Sequence, residues 1–329
     1  MAEVSANHAG KIDTAISMIK KAKECGADAV KFQVYTPDTL TINADNKYFM
    51  IRHPKWGGQT LYELYKNAHT PWGWFKRLKK AADDARITFF ATAFDRTAID
   101  LLEELKVPFH KIASFELVDL PLVEYAAKTK KPLIMSTGMA SRKEIGDAVD
   151  TARKAGAKDM ILMKCVSSYP ASCEEMNLAT IPDMARSFKC LVGLSDHTTS
   201  VIPPVVAVSL GARIIEKHFT LSRGIRTEDS FFSIEPAELK EMVRSVRLAE
   251  EALGRVHYGV TKEEEKNRIF RRSLFAVKDI GKGEPFTEEN IRSIRPGYGI
   301  SPKHITALLG RPAARPIKAG TPLNMDLVK

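Results

Sequence analysis

No stretch of this sequence is apolar for the ~20 residues that a membrane-spanning helix needs. The longest apolar runs, such as 201–215, are broken by Pro203 and Pro204. The start, Met1 to Val4, has neither a basic head nor an apolar h-region, so no secretory signal is read there. Cysteine is scarce: Cys25, Cys165, Cys173 and Cys190 lack metal-knuckle spacing and fit reduced thiols in a cytoplasm. A Walker loop and a G-x-G-x-x-G turn are both missing, which leaves no signal for a nucleotide cofactor. Blocks of Lys and Arg are missing too, although the net charge is +10. Residues 271–329 carry much of the excess, with eleven basic side chains against five acidic ones. Without a stacking-aromatic pattern, this mild positive field suits a small anionic substrate better than a nucleic acid.

What is present is ordinary globular composition in 329 residues, 44% hydrophobic and 27% charged, enough for about two domains. Short apolar segments near 2–6, 28–34, 87–91, 109–112, 131–136, 159–165, 190–194 and 212–218 read as strands. Helical patterns follow at 11–25, 72–86, 96–106, 119–129, 141–155, 178–188, 200–210 and 236–253, the first ending at Gly26. Eight βα units in 1–255 point to an α/β fold, a TIM (β/α)8 barrel, with a doubly wound open sheet as the alternative. The stretch 36–71 breaks the rhythm and, in a barrel, would lie over the mouth as a lid. After Gly254, residues 256–270 read as a polar linker. Residues 271–329 read as a small β-rich domain with turns at Gly281 and at Lys318 to Gly320. At ~60 residues such a domain is marginal alone.

Alternate residues of a barrel strand face inward, and polar ones near its C-terminal end face the active site. Glu3, Ser5 and Asn7 share a phase; so do Lys31 and Gln33, Ser114 and Glu116, Ser195 and His197, and Glu216 and His218. Any one of them could be a satisfied buried polar group, but recurrence at one phase in successive units argues for a polar site. Lys31, Lys111, Thr92, Ser114, Ser136 and Ser195 supply two cations and four hydroxyls, a set suited to phosphate and carboxylate oxygens. His197 and His218 close neighbouring strands and can converge. From spacing alone, a divalent metal site and a structural histidine pair fit equally.

The motifs AEVSANHAG (2–10), GADAVKFQ (26–33), KIASFE (111–116), STGMAS (136–141), SSYP (167–170), GLSDHT (193–198), EKHFT (216–220), RRS (271–273) and IRPGYGISP (294–302) run the length of the chain. With them the sequence resembles the sialic acid synthase family of phosphoenolpyruvate-condensing enzymes, a TIM barrel followed by an antifreeze-like SAF domain. Residues 60–76 and 229–236 look like the pseudaminic acid synthase branch of that family. Members usually carry more residues before the equivalent of Ala2, which implies a short first strand here.

The resemblance implies a transferase that joins phosphoenolpyruvate to 2,4-diacetamido-2,4,6-trideoxy-altrose, giving a nine-carbon 2-keto acid and phosphate. It implies Mn2+ or Mg2+ on His197 and His218, and phosphoenolpyruvate among Lys31, Thr92, Lys111, Ser114, Ser136, Ser167 and Ser195. Ser167 stands where the neuraminate branch commonly has asparagine. Gln33, Glu116, Tyr169, Asp229 and Arg295 match sugar-holding positions, and Glu3 or Asp229 would be the general base. Arg295 would reach the barrel of a second subunit in a domain-swapped homodimer. The implied protein is cytoplasmic, with small-molecule substrates and neither nucleic acid nor membrane as partner. Three alternatives stay open: a neuraminate or legionaminate synthase of the same family, a non-catalytic polysaccharide-assembly protein, and a nucleic-acid module in the basic C-terminal domain.

Overall fold

The computed structural model describes residues 1–53 and 55–329. They fall into two compact units, Met1–Gly254 and Arg255–Lys329.

Among the described residues of the first unit, eight parallel strands close into a barrel in chain order. They are β1 (Ala2–Glu3), β2 (Ala29–Val34), β3 (Thr88–Ala93), β4 (His110–Ile112), β5 (Leu133–Ser136), β6 (Met160–Cys165), β7 (Leu191–Asp196) and β8 (Ile214–His218). The first strand closes the ring although it has two residues: Glu3 pairs with Lys31 on one side and His218 on the other. The outer helices are α1 (Ile12–Glu24), α4 (Phe75–Asp84), α5 (Arg96–Glu104), α6 (Leu120–Lys128), α7 (Arg142–Lys154), α8 (Thr180–Phe188), α9 (Ile202–Ser209) and α10 (Pro236–Leu253). Two short helices, α2 (Pro37–Leu40) and α3 (Leu61–Ala68), lie within the segment after β2.

Local chemistry sets the helix starts. Asp95 accepts from the Ala98 N–H at the head of α5, and Asp119 from the Leu122 N–H at the head of α6. Thr60 with Glu63, and Ser141 with Glu144, form capping boxes at α3 and α7. Gly26, at φ +88°, takes the left-handed turn after α1.

The core lies between strands and helices. Val30, Phe32 and Val34 of β2 point outward and are fully buried, as are Met18 and Ile19 of α1 and Phe75 and Leu78 of α4. The opposite phase of β2, Lys31 and Gln33, is thereby turned to the barrel axis. This alternation is the link from sequence to site: the apolar phase holds the barrel together and leaves the polar phase to line its mouth.

One difference from the sequence reading bears on that site. The first strand stops at Glu3, and Ser5–His8 form a 3-10 turn with Ser5 at φ 45°. The Ser5 N–H donates to Glu3 Oε1 at 2.9 Å, and its hydroxyl donates to Asp229 Oδ2 at 2.5 Å. Side-chain bonds thus hold a backbone conformation that L-residues seldom adopt.

The second unit has its own core, including Leu274, Phe286, Ile291, Leu308 and Leu323. Its strands β9 (Ser273–Ala276) and β10 (Ile291–Ile294) pair antiparallel. Residues read as a linker, 256–270, carry α11 (Lys262–Glu265) and a 3-10 turn at Arg268–Phe270, and α12 (Ile305–Leu308) follows β10.

Candidate active site

Cross-strand register builds the floor of the site. Thr92 lies beside both Gln33 and Lys111, and Ser195 beside both Cys165 and Glu216. The side chains enclose a small inner chamber of about 50 Å³ whose walls include Lys31, Thr92, Lys111, Ser114, Ser136, Ser195 and Glu216. An outer chamber of about 490 Å³ is walled by Glu116 and Asp229 and by the segment after β2. Gln33, Phe94, Ala113, Phe115, Tyr169 and His218 line both chambers and form the junction between them.

The two inner lysines differ in electrostatic state. Lys31, 3% exposed, contacts Glu3 Oε2, lies 3.4 Å from Glu216 Oε1 and donates to Thr92 Oγ1 at 2.8 Å. Burial alone would lower its pKa, but Glu216 and Glu3 outweigh that and raise it. The two carboxylates compete for one ammonium. Burial pushes Glu3 up to about 7 despite Lys31, while Lys31 and Lys111 overcome burial and hold Glu216 low. Lys111, 1% exposed, donates to Ser136 Oγ at 2.6 Å and to its neighbour's carbonyl, Ile112 O, at 3.1 Å. Among the described residues it has no carboxylate in ion-pair range, and burial lowers its pKa. An anion in the inner chamber would supply the missing countercharge.

Ser114 accepts from the Gly138 N–H at 3.1 Å. A side chain on Gly138 would collide with the hydroxyls of both Ser114 and Ser167, so glycine is what lets this loop approach. Ser167 itself is half-buried against Gly138, 4.0 Å from Cys165 Sγ.

The imidazoles of His197 and His218 do converge, with ring centroids 5.3 Å apart. Phe232 packs 4.8 Å from His218, and Tyr169 packs 4.3 Å from His197. His197 Nδ1 lies 2.8 Å from the Val166 carbonyl and donates to it, which leaves Nε2 as the ring nitrogen open to a ligand; burial lowers its pKa, but Cys165 and the Val166 bond outweigh that and raise it. Burial, then His197 and Lys31, hold the His218 pKa well below the usual imidazole value, and its buried Nδ1 has no hydrogen-bond partner. Two imidazoles, one with an orphaned buried nitrogen and the Asp229 carboxylate 3.7 Å from it, form a donor set that a divalent metal ion can take. Among the described residues no group of three or more His, Cys, Asp and Glu surrounds them, so an ion held there would keep positions open.

Behind these histidines the other phase of β7 and β8 is bolted together. Lys217 Nζ sits 2.5 Å from Asp196 Oδ2, both side chains buried, and donates to Ser200 O at 2.9 Å. Asp196 also accepts from the Thr198 N–H at 2.8 Å. Lys217→Met should therefore cost about 3 kcal/mol, the low end of ~3–5 kcal/mol for a broken buried pair, because Thr198 still serves the carboxylate. Urea unfolding of the two proteins measures it; an unchanged midpoint would show that the pair adds nothing.

The remaining sequence-derived residues fall as follows. Gln33 lines the junction, with its Nε2 3.3 Å from Glu3 Oε1, and Tyr169 stands beside it. Glu116 lines the outer chamber; burial raises its carboxyl to about 7, and its Oε2 has no partner. Asp229 lines it as well, 3.7 Å from His218 Nδ1, its pKa raised by burial. Glu3 is fully buried beneath Lys31 and lines neither chamber. Arg295 is exposed on the second unit, one residue past β10. Sequence reading assigned no role to Glu216, whose phase was nevertheless visible, nor to Cys165. Cys165 is the last residue of β6 and lines the inner chamber 3.9 Å from His197 Nδ1. Described residues of the segment 36–71, among them Leu40, Trp56 and Leu64, do wall the mouth: Trp56 donates to Glu228 O at 2.8 Å and packs 5.8 Å from Tyr169.

Comparison with known proteins places this geometry. Residues 18–258 match the NeuB family and residues 271–329 match the SAF domain. The pseudaminic acid synthase of Campylobacter jejuni serotype O:2 is 45% identical over 323 residues, 98% of this chain and 94% of the relative. That of Helicobacter pylori is 42% identical over 327 residues, 99% of this chain and 96% of the relative. Among solved structures, the N-acetylneuraminic acid synthetase of Leptospira borgpetersenii is 33% identical with a TM-score of 0.72. It covers 81% of this chain and 88% of its own.

Proposed function

The chain belongs to the NeuB family and ends in a SAF domain, and from that premise we propose that it works as a pseudaminic acid synthase. It condenses phosphoenolpyruvate with 2,4-diacetamido-2,4,6-trideoxy-altrose and releases phosphate. The observation that carries the reading is the pair of joined chambers, one small and cationic, the other large and part apolar, meeting at Gln33, Tyr169 and His218. The full-length likeness to two pseudaminic acid synthases supports the choice of acceptor.

The inner chamber takes phosphoenolpyruvate. Lys111, Lys31, Thr92, Ser114, Ser136 and Ser195 offer donors to its phosphate and carboxylate oxygens, with Ser167 beside them behind Gly138. Two ammonium groups, Lys31 and Lys111, and one carboxylate, Glu216, line this chamber while Glu3 lies outside it, so the chamber favours an anion. The acceptor occupies the outer chamber against Gln33, Glu116, Tyr169 and Asp229, its aldehyde carbon at the junction. Fixing C3 of the enol against that carbon replaces an encounter by a positioned attack.

A new C–C bond forms there, the aldehyde oxygen becomes a hydroxyl, and water adds to C2. Phosphate then leaves from the tetrahedral carbon. In this scheme Asp229, 3.7 Å from His218 at the junction and raised in pKa by burial, takes the proton of that water and the aldehyde oxygen receives it. Glu3, closed off from both chambers, instead sets the charge and position of Lys31. His197 and His218 would hold a Mn2+ or Mg2+ ion, which supplies Lewis-acid polarisation of a carbonyl oxygen when bound. A homodimer in which Arg295 serves the partner's barrel, and residence in the cytoplasm, belong to the same proposal. Arg295 is exposed on its own domain, and no helix among the described residues is long and apolar enough to cross a membrane.

Phosphate release with the altrose-derived acceptor is the test. Release is expected with it and at least about tenfold less with the acceptors of the neuraminate and legionaminate branches. Release only with one of those would move the chain to that branch. None with any acceptor would favour a binding protein.

A further inference from the structure

Resting on that reading, we infer that the turn Ser5–His8 is a positioning element for Asp229, and that the left-handed backbone at Ser5 serves to aim that carboxylate. Asp229 needs outside support. It sits in the long connection between β8, which ends at His218, and α10, which starts at Pro236. A connection of that length does not fix a side chain by itself. The turn after β1 supplies what the loop lacks, and it does so from two ends.

At the side chain, the Ser5 hydroxyl donates to Asp229 Oδ2 at 2.5 Å. Ser5 is buried, and its one hydroxyl proton goes into this bond. At the backbone, Asn7 Nδ2 donates to Phe219 O at 2.9 Å and to Ser233 Oγ at 2.8 Å, while its Oδ1 accepts from Thr227 Oγ1 at 2.6 Å. Ser233 Oγ in turn donates to the Asp229 carbonyl at 2.7 Å. Asn7 and Ser233 are buried too, so bulk water does not compete for these bonds. The strain at Ser5, φ 45°, then has a use. A backbone held in a sparsely populated region beside a reacting centre points to function, and here the strained residue is the one whose hydroxyl reaches Asp229. Glycine takes this φ without strain but has no hydroxyl. The Ser5 N–H bond to Glu3 Oε1 is a main-chain bond and survives that exchange. Ser5→Gly therefore separates folding from aim.

Steady-state phosphate release and thermal unfolding are measured on the full chain. Ser5→Gly should melt close to the unaltered protein yet lose about tenfold in kcat, with KM for phosphoenolpyruvate within about twofold. The split follows because Ser5 and Asp229 line the outer chamber and not the inner one. Ser5→Ala, which keeps the strain and loses the hydroxyl, should show the same kcat and melt lower than Ser5→Gly. A double-mutant cycle shows whether Ser5 acts through Asp229. In an Asp229→Ala background, itself about 10²-fold down, Ser5→Gly should cost less than about twofold, because no carboxylate is left to aim. Turnover of Ser5→Gly equal to that of the unaltered enzyme overturns the inference and leaves the condensation reading standing. So does a kcat loss matched by unfolding of Ser5→Gly at the assay temperature, which would make Ser5 structural. A full tenfold loss in the Asp229→Ala background overturns it as well, since Ser5 would then act on the acceptor directly. No phosphate release from the unaltered enzyme with any acceptor overturns both.

Discussion

Replacing Lys111 by methionine should lower kcat/KM for phosphoenolpyruvate by about 10³-fold and raise the melting temperature of the ligand-free protein. Both effects have one cause. The ammonium is 1% exposed, its hydrogen bonds go to Ser136 Oγ and Ile112 O, and no carboxylate among the described residues lies in ion-pair range. Burial lowers its pKa, so the folded protein holds that proton less tightly than the unfolded chain does. Below the lowered pKa both states are charged and the folded one carries the full desolvation cost. As pH rises from there toward the unfolded value, the unfolded chain binds more protons and stability recovers. A methionine of similar length removes that cost, which gives a gain of a few degrees in a domain of this size. The same change strips the anion of its buried countercharge, worth ~2–5 kcal/mol when one partner of a charged pair is truncated. Thermal unfolding without ligand and phosphate release with varied phosphoenolpyruvate measure the two halves. A lower melting temperature, or an unchanged KM, would show Lys111 to be a structural lysine.

Such a site is legible in sequence to the extent that a barrel enforces phase. Lys31 and Gln33 share parity against Val30, Phe32 and Val34, and the packed layer then fixes which set faces inward. His197 and His218 are 21 residues apart in sequence, yet neighbouring βα units bring them together because both end a strand. What parity cannot give is depth. Glu3 shares the inward phase, but Lys31 covers it, so it lies under the chamber instead of in it. The left-handed backbone at Ser5 also escaped, because position 5 is neither glycine nor asparagine; the hydroxyl bond to Asp229, 224 positions away, holds it. The wall on α3 depends on how a long loop folds back over the mouth. Leu61 and Leu64 are visible as apolar residues, and nothing local says that they meet Glu116 and Asp229 across one cavity.

The second large effect is expected at His218. His218→Ala should reduce turnover by at least about 10³-fold, the scale of several kcal/mol of Lewis-acid stabilisation, and abolish Mn2+ binding while the fold persists. Its imidazole is kept neutral at pH 7 by burial and by the positive neighbours His197 and Lys31, so a lone pair is available for a cation. Its buried Nδ1 has no partner, a cost that a bound ion would relieve and that alanine simply deletes. The loss of ring contacts with Phe232 works the other way, which keeps the net change in stability small. His197 differs, since its Nδ1 bond to the Val166 carbonyl anchors the ring and survives removal of the ion. Direct Mn2+ titration followed by electron paramagnetic resonance separates binding from turnover, and chelation of the unaltered enzyme should reproduce the variant's loss. Full turnover after chelation would remove the metal from the scheme. Loss of turnover with Mn2+ affinity retained would leave His218 acting on the substrates directly, through the junction it shares with Gln33 and Tyr169.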